Sequence, residues 1–178
     1  MEEHRLDRIE EKLDSGPVSN IYKIKINPSD NAQEISEKLS MLASEKILEN
    51  IDDIIDGNSN FEEQDHLKAT YAKKIDKREG QINWNVAADK IIGKINGLYP
   101  VPGAFFCFKG ERYKILKAEI GSGLGKIGEV ISDRLEIACC NQQSIKILEI
   151  QRQGKKSQKI GEFMLGSQIK KGTIISNV

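Results

Sequence analysis

From Tyr22 onward apolar and polar positions alternate. Ile24 and Ile26 fall on one side, Lys23 and Lys25 on the other, and Ile21 stands near the start. A period of two is that of a strand whose faces differ. Asn27-Pro28-Ser29-Asp30 breaks it. Asn31 then stands three residues before Glu34, the spacing of a capping box, and Asp30 stands three before Gln33. Ala32, Ile35, Leu39, Leu42, Ile47, Ile51, Ile54 and Ile55 follow at helical spacing, and Gly57 ends the run. The pattern predicts a helix over 31–55 whose apolar face a single short strand cannot cover.

Residues 57–80 lose this periodicity, and the first boundary is placed here. Trp84, Ala88, Ile91, Ile95 and Leu98 mark a second amphipathic helix, stopped by Gly97 and Pro100-Val101-Pro102-Gly103. After Gly103 the pattern becomes that of short strands. Ala104–Phe108 and Arg112–Ile120 flank Lys109-Gly110-Glu111, a hairpin turn. Glu129–Ser132, Leu135–Cys140 and Ser144–Ile150 are further short runs. Ile160, Phe163, Met164 and Ile169 suggest a short helix, and Thr173-Ile174-Ile175 a closing strand. Short strands in such close succession suggest a small barrel.

Composition narrows this α+β reading. The 178 residues are 38% hydrophobic and 30% charged, with a mean hydropathy of −0.47. No apolar run approaches the ~18 residues of a membrane span. The first residues, Met1-Glu2-Glu3-His4-Arg5-Leu6-Asp7, lack the apolar core of a secretory signal. Cys107, Cys139 and Cys140 are odd in number and suit neither a disulfide framework nor a metal knuckle, so a cytoplasmic location is expected. The zero net charge hides a division. Residues 1–70 carry 8 Lys and Arg against 17 Asp and Glu, and residues 71–178 carry 19 against 10. A basic half points to an anionic partner.

Candidate chemistry is sparse. Gly123-Leu124-Gly125-Lys126-Ile127-Gly128-Glu129-Val130 fits GxGxxGxV, but a dinucleotide site needs a helix opening at the glycines, and the following residues read as strand and turn. A loop between strands is expected. His4 and His66 lack ligand partners at metal spacing, so no metal is expected. Cys107 alternates with aromatics, which suggests core, while Cys139 and Cys140 fall on opposite faces of a strand. Basic residues cluster at Lys73, Lys74, Lys77 and Arg78, beside Tyr71, and at Arg152, Lys155, Lys156 and Lys159, around Gly154. Loops bearing such cations can follow a phosphate backbone without reading sequence.

Taken together, the pieces resemble the methionyl-tRNA formyltransferase family. Leu13-Asp14-Ser15-Gly16-Pro17-Val18 resembles the LDxGxx signature of folate-dependent formyltransferases. Tyr71-Ala72-Lys73-Lys74-Ile75 with Ile82-Asn83-Trp84 resembles the family's linker and the start of its last domain. Asn96-Gly97-Leu98-Tyr99-Pro100-Val101-Pro102-Gly103-Ala104 is similar to its NPxPGA segment, and Gly154-Lys155-Lys156 and Gly161–Gly166 fit its C-terminal end. The likeness runs from about Ile9 to Val178. It implies a formyl transfer from 10-formyltetrahydrofolate to the methionine amino group on initiator methionyl-tRNA. It implies a strand and helix remnant of a Rossmann-like catalytic domain over 1–56, a basic linker over 57–79, and an OB-like tRNA-binding domain over 80–178.

The departure from the family matters as much as the match. Its catalytic set is an Asn, a His and an Asp, with the Asn and His in an N-x-H arrangement upstream of a folate-binding loop. Only Asp14 carries over; this chain has no N-x-H motif. Formyl transfer to an amine passes through a charged tetrahedral intermediate, where one oxyanion donor is worth roughly 10²–10³ in rate and acid–base help roughly 10²–10⁴. The expectation is a C-terminal portion that binds tRNA through Lys73, Lys74, Lys77, Arg78, Arg152, Lys155 and Lys156, holds no folate alone, and catalyses nothing alone. Three readings stay open: an enzyme half completed by a separate N-terminal fragment, a stand-alone RNA-binding module, and a non-functional truncated gene product.

Overall fold

The computed structural model describes residues 2–176. Asn177 and Val178, the end of the expected last domain, lie outside the described residues. The chain divides into two compact units, Met1–Lys74 and Ile75–Val178.

In the first unit, strand β1 (Glu2–Asp7) pairs antiparallel with β2 (Val18–Ile24), in a register running from Glu2 opposite Ile24 to Asp7 opposite Val18. The sequence pattern gave no sign of β1, because five of its six residues are charged or histidine and only Leu6 is buried. Strand β2 ends at Ile24, short of Ile26. Helix α1 (Ala32–Ile55) starts at the expected cap. The Glu34 amide donates to Asn31 Oδ1 at 3.0 Å, and the Asn31 amide donates to Glu34 Oε2 at 3.0 Å. Gly57 follows with φ +74°, the left-handed turn that commonly closes a helix. Despite its 24 residues α1 buries none; Ile35, Leu39, Leu42 and Ile54 are half-buried, and Ile47, Ile51 and Ile55 are exposed. A polar link ties it to β2: Asn20 and Asn50 both donate to the Tyr22 hydroxyl, at 2.8 and 2.9 Å.

The second unit opens with a 3-10 turn at Lys77–Gly80 and helix α2 (Ala88–Gly97). Trp84 precedes the helix rather than lying on it, but is fully buried with Ala88, Ile91 and Ile95. Strands β3 (Ala104–Phe108), β4 (Glu111–Gly121), β5 (Glu136–Cys139), β6 (Gln143–Arg152) and β7 (Ser157–Lys159) form an antiparallel sheet of order β3-β4-β6-β5, with β7 also on β6. Helix α3 (Ile160–Gly166) follows β7 directly. The core lies between α2 and the sheet, where Phe106, Ile115, Ile137, Ile145, Ile147 and Ile150 are all at most 2% exposed.

Three expectations need correction here. Glu129–Ser132 and Thr173–Ile175 are not strands but isolated bridges, Glu129 with Ile174 and Val130 with Ile137. Gly128 at φ +80° and Leu135 at φ +54° bend the chain out of the extended range on either side of the first. Cys107 is exposed, not core, because β3 turns Ala104 and Phe106 inward and Cys107 to the other face. Residues 122–125 of the glycine segment form a loop with no helix at their end. Its backbone is pinned: Gly123 donates to Ser144 Oγ at 3.0 Å, and a Cβ there would run into Ile131.

Candidate nucleic-acid interface

Two tight turns of the second unit set the site. Phe108 pairs with Glu111 across Lys109-Gly110, and both turn residues have positive φ, 49° and 77°. That is the geometry a two-residue hairpin requires, and the glycine supplies it without strain. It projects Lys109 from the tip. The β6–β7 turn is built around Gly154 at φ +71°, with the Lys155 amide donating to the Arg152 carbonyl at 3.0 Å and Gln151 Nε2 donating to the Lys155 carbonyl at 2.9 Å. It leaves Lys155 and Lys156 exposed.

Between these turns and α3 opens a cleft of about 650 Å³. Phe108, Tyr113 and Phe163 contribute its aromatic lining, and Lys109, Arg152, Lys155 and Lys156 its cations. Tyr113 stacks on Phe106 with centroids 5.4 Å apart and meets Phe163 edge-on at 5.9 Å, so this wall continues the core. Arg152 is already engaged: Nε and Nη2 donate to the two oxygens of Glu111 at 2.6 and 2.5 Å. The Tyr113 hydroxyl donates to the same carboxylate at 2.9 Å. The Arg152 guanidinium, and then the Tyr113 hydroxyl, hold the Glu111 carboxyl below the usual glutamate range. Burial, then the same carboxylate, pushes the Tyr113 phenol up.

The structure thus brings Arg152, Lys155 and Lys156 to one cleft. Lys109 joins them and was missed, although the Lys-Gly tip of a predicted hairpin was the signal for it. Lys159 sits exposed on β7 and does not line the cleft. Lys73 and Lys74 end the first unit, and Lys77 and Arg78 begin the second in the 3-10 turn capped by Asp76; all four are exposed. Among the described residues no cluster of His, Cys, Asp and Glu could hold a metal ion, and no helix is long and apolar enough to cross a membrane.

Asp14 lies on the exposed loop between β1 and β2, with φ +53°. That loop is closed by residues distant in sequence. Gln64 Nε2 donates to the Gly16 carbonyl at 2.7 Å and to the Asp14 carbonyl at 3.0 Å. Val18 and Glu62 exchange backbone hydrogen bonds at 2.9 Å each, and Arg8 lies 4.2 Å above the Phe61 ring. A side chain at position 16 would run into the Arg8 carbonyl, so the glycine of the LDxGxx segment is a packing requirement. Sequence reasoning did not find Gln64, because nothing local marks a clasp about fifty residues away.

Residues 74–168 match the family model of the formyl transferase C-terminal domain, and the chain belongs to that family. Its curated relatives include the methionyl-tRNA formyltransferase of Pelagibacter ubique, 67% identical over 171 residues, covering 96% of this chain and 55% of that protein. That of Thermodesulfovibrio yellowstonii is 39% identical over 165 residues, covering 92% and 53%. The chain spans about half the length of these relatives. Among solved structures, HypX from Aquifex aeolicus in complex with tetrahydrofolic acid matches with a TM-score of 0.72 at 17% identity, over 91% of this chain and 29% of that one. Methionyl-tRNA formyltransferase from Clostridium thermocellum matches with a TM-score of 0.51 at 17% identity, over 68% and 52%. Likeness at such identity bears on the fold.

Proposed function

We propose that this chain is the tRNA-gripping portion of a methionyl-tRNA formyltransferase. Residues 1–56 are read as the end of a Rossmann-like catalytic domain, 57–79 as a basic linker, and 80–178 as an OB-like domain that meets the phosphate backbone of initiator methionyl-tRNA. The observation that carries this is the cleft between the two hairpin turns, where Lys109, Lys155 and Lys156 stand together in the basic unit. Lys73, Lys74, Lys77 and Arg78 form a second exposed group of cations, clustered in sequence where one unit ends and the next begins. Arg152 contributes differently than expected, since Glu111 occupies two of its donors.

Asp14 is the family's catalytic aspartate without its Asn and His. The residues around it do not fit a folate site. The carboxylate stands on an exposed turn whose backbone is held by Gln64 and Arg8, with no second catalytic side chain of the family beside it in the sequence, so we read it as unable to orient a formyl donor alone. Incubating the chain with methionyl-tRNA and 10-formyltetrahydrofolate tests this reading. The expected result is a tRNA complex at low salt and no formylmethionyl product. Repeated turnover, or no complex, would overturn it.

A second reading is favoured by α1, none of whose apolar residues is fully buried. A separate N-terminal polypeptide would cover that face and supply the donor site. Its signature is co-purification of the two chains and activity only in the mixture.

A further inference from the structure

We propose that the cleft between the β3–β4 and β6–β7 turns receives one unpaired nucleotide of the RNA, its base against Phe108 and its phosphate on Lys109, Lys155 and Lys156. This rests on the tRNA reading above and narrows it. A duplex backbone presents a repeating row of charge and is met by cations spread along a surface. The structure offers a concavity of about 650 Å³, within the range of sites that enclose one small ligand. Its lining is aromatic as well as cationic, the pairing that proteins use for single strands, where every base has a face to stack and every phosphate a charge to meet.

The arrangement has a packed aromatic wall and an exposed lysine rim. Phe108 closes β3, packs against the core and still lines the cleft. Behind it, Tyr113 is fixed between Phe106 and Phe163. Lys109 Nζ lies 5.5 Å from the Phe108 ring centroid and donates to Gln168 Oε1 at 3.3 Å, so a cation already rests over the ring. Long lysine stems can swing toward a phosphate at small cost. Two carboxylates line the cleft. Glu111 is neutralised by Arg152 and hydrogen-bonded by Tyr113, so it does not repel an entering anion as a bare carboxylate would; Glu162 of α3 is the acidic group an entering phosphate must avoid.

The test compares a labelled four-nucleotide single-stranded RNA with a blunt RNA duplex in titrations of the whole chain, and measures whether the tetranucleotide displaces bound tRNA. The single strand should bind more tightly than the duplex and compete with tRNA. Phe108→Leu keeps an apolar side chain for the core but removes the ring. It should weaken tetranucleotide binding about 5- to 100-fold while leaving the salt dependence unchanged. Phe108→Ala should do the same, with a thermal melt confirming that each variant is folded. Salt-sensitive tRNA binding that Phe108→Leu changes by less than twofold, or that the tetranucleotide does not displace, overturns the nucleotide site and leaves the tRNA reading standing. Equal or tighter binding of the duplex overturns it as well. No binding of tRNA at low salt overturns both.

Discussion

Residues 75–178 bury Trp84, Phe106, Tyr113, Phe163 and a run of isoleucines between two helices and an antiparallel sheet. Residues 1–74 bury, among the described residues, Leu6 alone of their large apolar side chains, although they include the longest helix of the chain. The charge differs in the same sense: the first part of the sequence is acidic and the second basic. One unit therefore has what independent stability requires, a contiguous core. The other has local devices instead, a capping box, a side-chain clasp and a two-stranded pairing, and a two-stranded sheet is marginal in water by itself. Met41, Leu48 and Ile55 of α1 are each 74% exposed, an apolar stripe of the kind found at protein–protein contacts.

The comparison can be broken most sharply by paired truncations. Ile95→Ala in the second unit should cost about 2–5 kcal/mol, as buried large-to-small changes do, and Leu48→Ser in α1 less than about 0.5 kcal/mol. Thermal or denaturant melts of both variants check this; equal costs would mean that α1 is buried in solution. Next in size is Gln64→Ala, which removes two hydrogen bonds to carbonyls of the Asp14 loop. It should cost about 1–2 kcal/mol within the first unit and speed hydrogen exchange over residues 8–18, with the second unit unmoved. A smaller effect is expected at the cleft. Glu111→Gln removes a negative charge and loosens Arg152, so tRNA affinity should rise about 3- to 10-fold, a gain of roughly one charge-assisted contact. A fall in affinity would mean that the Glu111–Arg152 pair is itself what the RNA meets.

The smallest expected change is in proton binding. The Glu111 carboxyl is held below its ordinary value by Arg152, so whatever the pair contributes is present above the ordinary glutamate pKa. It is lost only as pH falls through the depressed one. Side-chain carboxyl shifts followed by NMR should show Glu111 titrating below the ordinary glutamate range, and Arg152→Ala should return it toward that range.

What was legible in the sequence was what is local. Asn31 and Glu34 announce a helix start by spacing alone, and Lys109-Gly110 announces a hairpin because few residues tolerate two positive φ angles. Loop status for Gly123–Gly125 followed from the absence of a helix pattern. What was not legible depends on distant partners. Strand β1 is nearly all polar and exists through its register with β2. Ser157–Lys159 has no apolar residue and is a strand only because β6 offers an edge. At the cleft, Lys155 and Lys156 could be picked out as a charged turn, but that Arg152 is occupied could not, since Glu111 is forty-one residues away.

The account depends most on the cationic cleft being where tRNA is held. The slope of log binding constant against log salt concentration, measured with initiator methionyl-tRNA for the wild-type chain and for Lys155→Ala/Lys156→Ala, tests this directly. The account predicts a steep linear fall for the wild type and a slope shallower by about 1.4–1.8 in the double variant, two phosphate contacts fewer. The same slope in both proteins would contradict it.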